Sequence, residues 1–262
     1  MEHPNTVLAR RAMTLLLAIA MASAAAADVE AAKSYTIGVE DLQYYPLHTT
    51  GNGNVFGGFA REVLDMFAKE KGYSFRYVPL PVNRLYVAFL KERTLDFKYP
   101  DNPRWKEDLR GAATIHYSAT LVTSEEGAMV LPKHKGRSLR QIKSLGTVLG
   151  FTPWPYLPAI DSKAITLSTS NGFDGLLRHA LADHIDAVYI NVDVANYLLA
   201  KELKTPGGLV FDPGLPHARS DFSLSTLRHA EVLNEFDAFL RRERLQLQNL
   251  KLKYGIEERG GP

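Results

Sequence analysis

The residues able to do chemistry are scattered along this chain, and their spacing first shows what they do not do. The sequence contains no cysteine, which removes thiol nucleophiles, disulfide staples and cysteine-bound metals. His48, His116, His134, His179, His184, His217 and His229 are dispersed. No pair of them has the His-x-x-x-His or His-Glu-x-x-His spacing that sets two imidazoles on one helix face. Neither a Gly-x-Ser-x-Gly elbow nor a Gly-x-x-x-x-Gly-Lys-Ser/Thr phosphate loop is present, and Ser118 stands alone. Glu40, Asp41 and Asp101 are the carboxylates best placed for acid or base work. Trp105 and Trp154 each follow an expected strand, in loops where flat side chains stack on ligands. Thr152, after Gly150 and Phe151, opens an expected helix whose free N–H groups suit an anion. Lys98 reads as a strand-face charge, and Tyr117 is a weaker candidate. Binding is therefore expected rather than catalysis: no catalytic residue, metal ligand or cofactor is assigned.

Those residues are expected to work outside the cytoplasm. Arg10 and Arg11 precede a small and apolar run, Ala12 to Ala22, followed by Ala24 to Ala27 and Asp28. A basic flank, a short apolar core and an Ala-x-Ala site (Ala25, Ala27) have the anatomy of a secretory signal peptide, so residues 1–27 are set apart and a periplasmic protein is expected. The run falls short of the roughly 20 residues that span a bilayer. A core large enough to need no disulfides fits the remaining length. The formal net charge of +2, with its charges mixed, gives no basic face for nucleic acid.

The elements that must position the candidates alternate. Ser34 to Val39 reads as a strand, and Gly51 to Asn54 as a turn. Phe59, Val63, Met66 and Phe67 recur at helical spacing, and Gly72 stops that helix. Tyr73 to Pro79 alternates as a strand, Asn83 to Lys91 is helical, and Leu95 to Tyr99 is a strand again. The rhythm repeats: strands at 146–150, 164–167 and 185–190, and helices at 172–182 and 192–202. Val232 to Tyr254 is the longest amphipathic run. Alternating strands and helices imply right-handed crossovers and mostly parallel sheets. The expected class is α/β and bilobal: two mostly parallel sheets flanked by helices, with a hinge between lobes. Lobe 1 should comprise 34–120 plus 221–262, with lobe 2 inserted as 121–220. The chain should cross near Ser118–Glu125 and Pro213–Ser220, with a ligand cleft at the strands' carboxyl ends.

Several stretches carry a family resemblance. Tyr35 to Val39, Tyr44 to Leu47, Phe56 to Val63, Leu90 to Asp96, Leu145 to Gly150, His184 to Val188 and Arg244 to Tyr254 follow in order. Together they resemble the extracellular solute-binding proteins of family 3, the amino-acid receptors of bacterial importers. The resemblance implies the bilobal periplasmic-binding-protein fold, a small-molecule ligand, an inner-membrane importer as partner and a monomer. It places Tyr44 where the family stacks an aromatic on its ligand. Asn191 stands where an aspartate holds the ammonium, with Asp193 two residues on. Tyr99-Pro-Asp-Asn-Pro-Arg-Trp105 replaces the family's serine-rich loop, which leaves Arg104 as candidate carboxylate clamp. Arg84 matches a Pro-x-x-Arg pattern at a helix start in a less-studied branch. An amide cannot neutralise an ammonium, so Arg84, Arg104 and Lys98 suggest a neutral to positive cleft. With the flat area of Tyr44, Tyr99, Trp105 and Trp154, they favour an anionic or strongly polar solute over a basic or zwitterionic one. Other roles consistent with the resemblance are a sensor or redox accessory and a cyclohexadienyl-dehydratase-like enzyme.

Overall fold

The computed structural model describes residues 32–256 apart from 52 and 54; the expected signal segment, 1–27, lies outside them. Its chain begins with β1 (Ser34–Glu40), followed by a small antiparallel sheet of β2 (Gln43–Tyr44), β3 (His48–Gly51) and β4 (Val55–Gly57). Helix α1 (Phe59–Lys71) buries Phe59, Val63, Leu64 and Phe67 on one face, the spacing of a stripe that returns every 3.6 residues. Gly72 ends it at φ 67°, where glycine carries no Cβ penalty. After β5 (Ser74–Leu80) come α2 (Val82–Tyr86), prolonged by a π turn over Val87–Lys91, then β6 (Phe97–Asp101), the short α3 (Glu107–Arg110) and β7 (His116–Tyr117).

The second repeat is built the same way. β8 (Val122–Val130) leads to β9 (Ser144–Val148), α4 (Leu157–Asp161), β10 (Thr166–Ser170), α5 (Phe173–Leu181), β11 (Ala187–Asn191) and α6 (Val192–Tyr197). β12 (Val210–Phe211) and β13 (Ala218–Thr226) follow, and the long amphipathic run forms two helices, α7 (Ala230–Arg242) and α8 (Arg244–Tyr254). Phe236 and Phe239 of α7 lie 5.0 and 5.5 Å from the Phe67 ring, so the C-terminal segment returns to pack on α1.

Strand order is β10-β9-β11-β8-β13-β6-β1-β5. At one end β6, β1 and β5 are parallel; at the other, β11, β9 and β10 are parallel. The two expected sheets are joined into one curled, hydrogen-bonded path by the antiparallel pair β8 and β13, in register from Ala218↔Glu126 to Phe222↔Val122. Beyond Phe222, β13 changes partner and pairs with β6, and its register shifts between Ser223 and Ser225. The shift falls opposite Pro100, which has no N–H to give to a ladder. Among the described residues no helix is long and apolar enough to cross a membrane.

Candidate functional site

A cavity lies where the two ends of the sheet face each other. Each end supplies side chains through an element's terminus. From the β1 end come Glu40, the last residue of β1, Tyr44 on β2, Val82 and Tyr86 on α2, and Trp105 after β6. The β11 end provides Gly150, Phe151 and Thr152 after β9, and Tyr189 on β11. The joining strands add Glu126 from β8 and Phe222 from β13.

The ends meet closely. Tyr44 is 1% exposed, with its ring 5.8 Å from both Phe151 and Phe173 and 5.1 Å from His48. Gly150 has φ 102°, and a Cβ there would lie 2.9 Å from Val82 and Asn83 side-chain atoms. Only glycine allows that approach.

The cavity's charge is acidic. Glu40 and Glu126 are both buried, and among the described residues lining the cavity there is no Lys, Arg or His. Burial, with Glu40 nearby, pushes the Glu126 carboxyl up from 4.5 to about 7, against the Ser220 hydroxyl that donates to its Oε2 at 2.8 Å. Glu40 has His48 Nε2 at 3.4 Å. The Tyr189 hydroxyl is buried without a hydrogen-bond partner. The Tyr44 hydroxyl faces the Asn191 backbone without a well-formed hydrogen bond. Burial raises the pKa of both phenols, so they remain protonated donors.

Tyr44, Trp105 and Thr152 are thus brought together, while the other expected residues lie elsewhere. Arg84 is on α2 with its side chain about half exposed, bonded through Nη1 to Glu92 Oε1 at 2.7 Å. It does not line the cavity, because the helix turns that side chain to solvent. Arg84→Ala should therefore leave ligand affinity unchanged within about twofold and alter stability little, as an exposed ion pair allows. Calorimetry and urea unfolding of the variant would check both. Arg104 and Trp154 share a separate hollow with Tyr117, Ser118 and Arg219, the guanidinium 5.4 Å from the indole centroid. Tyr99 is a fully buried core residue. Asn191 caps α6, its Oδ1 accepting from Val194 N–H at 3.0 Å, which satisfies an N-terminal donor that helical geometry leaves free.

Three expectations are corrected by these placements. The cleft, expected neutral to positive, is lined by two carboxylates and by none of Arg84, Arg104 and Lys98. Thr152 precedes only a 3₁₀ turn over Trp154–Tyr156 and the five-residue α4, too short to present an anion site. Lys98 is not a strand-face charge but fully buried. Its Nζ donates to the Pro100 carbonyl at 2.6 Å, lies 3.2 Å from Asp101 Oδ1 and sits 4.2 Å over the Tyr86 ring. Asp101 in turn accepts from Ser225 Oγ at 2.6 Å and from the Asn102 N–H at 2.9 Å, with Arg110 Nη2 at 3.4 Å. This network lies behind Tyr86 and Trp105 and fixes the wall they form.

Glu126, Tyr86 and Tyr189 were not singled out from sequence. The available signal for Glu126 was an acid inside Val122 to Val130, between apolar ends, where only an internal partner or a ligand makes burial tolerable.

No protein-family model matches the chain, and no curated protein matches it by sequence. Solved structures do. A substrate-binding protein of an ABC uptake transporter from Streptococcus pneumoniae, with bound histidine, is 18% identical at a TM-score of 0.68 and covers 87% of this chain and 95% of its own. A histidine kinase sensor domain with similarity to periplasmic binding proteins is 16% identical at a TM-score of 0.69, with 86% and 97% covered. An ancestral amino-acid-binding protein, a precursor of cyclohexadienyl dehydratase, is 17% identical at 0.64, with 84% and 95% covered. At such identities the likeness speaks for architecture. The chain has the two-lobed α/β fold of the periplasmic binding proteins.

Proposed function

We propose that this protein is an exported, monomeric solute-binding protein that closes two lobes over a small molecule and serves an importer. The lobes would divide as 34–120 plus 221–262 and 121–220, hinged on β8 and β13. One observation carries this reading: side chains from both ends of the sheet and from both joining strands enclose a single cavity, with an unpartnered Tyr189 hydroxyl at its wall. Polar groups buried without partners are costly, and a ligand is one way of satisfying them. The likeness to a transporter component supports the same role, and that to a sensor domain fits a receptor that reports on the solute instead.

Thermal unfolding against a panel of amino acids, amines, small carboxylates and sugars tests it. A ligand at a hundred times its Kd adds about 2.7 kcal/mol, roughly a 5–10 °C rise in Tm for a domain of this size. No rise with any class would remove the binding role.

A second reading, a dehydratase-like enzyme, is favoured by the near-neutral Glu126 carboxyl in the cavity, a value suited to proton transfer. Recovering the bound ligand unchanged after prolonged incubation would dismiss it.

A further inference from the structure

We infer that the cavity takes a small organic cation lacking a carboxylate, an amine or quaternary ammonium with a flat or apolar body, held by Glu40 and Glu126 among aromatic rings. This rests on the solute-binding reading above. The two carboxylates line the cavity together, and no lining side chain among the described residues is cationic. Glu40 has the His48 ring 3.4 Å away, but among the described residues no basic side chain lines the cavity beside Glu126. Burying a carboxylate without a cation is strongly disfavoured, and a positive ligand is a partner that removes the penalty. The rings of Tyr44, Tyr86, Trp105 and Tyr189 surround the same space, and aromatic faces attract alkylammonium groups once water is excluded. The Tyr189 hydroxyl, buried and unpartnered, is free to orient such a ligand.

A zwitterion fits poorly. Its carboxylate would need a cationic clamp, and among the described residues none lines the cavity: Lys98 is committed to Asp101 and the Pro100 carbonyl, Arg84 to Glu92, and the His48 ring faces Glu40. An anion would meet Glu40 and Glu126 directly, and like charges in a water-poor site repel strongly.

Five probes sharing one ring separate these cases by calorimetry and thermal shift on the mature protein: benzylamine, benzyltrimethylammonium, benzyl alcohol, benzoate and phenylalanine. One or both cations should bind, with the neutral, anionic and zwitterionic analogues at least about thirtyfold weaker, the effect of losing a desolvated charge pair. Glu126→Gln should weaken the bound cation by a similar factor while leaving Tm of the free protein equal or higher. Glu40→Gln provides a second variant should Glu126→Gln fold poorly. Benzoate or phenylalanine binding as tightly as the cations would overturn the charge assignment and leave the solute-binding reading standing. Equal cation binding by wild type and both variants would also overturn it. Silence from all five probes, with a hit of another class in the wider panel, would do the same; silence in both would remove the binding role as well.

Discussion

Raising the pH from about 4.5 to about 7 should reduce the folding stability of this protein by about 3 kcal/mol through Glu126 alone, and Glu126→Gln should abolish that loss. In the unfolded chain the carboxyl releases its proton near the ordinary 4.5; in the native state burial and Glu40 hold it to about 7. Between those values the native state binds more protons than the unfolded one, so stability falls as pH rises. Below the window both states are protonated and the stability is fully present; above it the loss is complete. Each unit of displacement corresponds to about 1.4 kcal/mol. The groups facing Glu126 are Glu40, Ser220, Tyr44 and Tyr189, and His48 stands behind Glu40. Urea unfolding of wild type and Glu126→Gln at several pH values isolates the contribution as the difference between curves. Parallel curves would show that this carboxyl does not titrate in the window.

The second large effect belongs to the network behind the cavity wall. Lys98→Ala should cost about 3 kcal/mol, the lower end of what breaking a buried ion pair entails, because Arg110 still approaches the same Asp101 oxygen. Most of the loss is the penalty of a buried carboxylate left short of a cation, not the pair's own attraction. A double variant, Lys98→Met with Asp101→Asn, should therefore recover more than half of it. Denaturant midpoints at constant m-value would show this. If the double variant were as unstable as Lys98→Ala, packing against Tyr86 rather than charge would be the cause.

The α/β order was legible because its helices are strongly periodic. The stripe of Phe59, Val63 and Phe67 and that of Phe173, Leu176 and Leu177 each mark a helix face that must be buried against a neighbouring element. β8 was not legible: Thr123, Ser124, Glu125 and Glu126 break the alternation a strand normally shows. It is a strand because its backbone is paired on both edges, by β11 and β13, and its acid is kept for the cavity. The turn between α7 and α8 at Glu243 was missed too, since an apolar stripe fixes which face is buried and not whether the axis bends. Tyr44 and Trp105 were legible as loop aromatics. Arg84 misled, because a charge at a helix start says nothing about which way the side chain leaves the helix; here it finds Glu92 eight residues on, across the π turn.

The chain has two tryptophans in all. Trp105 is part of the cavity wall, in edge contact with Phe222 at 5.2 Å, and Trp154 lies in the adjoining hollow beneath Arg104. The indole emission of the whole molecule therefore originates at the cavity wall and in a second hollow lined by Trp154. Occupancy can be followed optically on the unlabelled protein, with Trp105→Phe separating light that comes from the wall itself from light that comes from its neighbour.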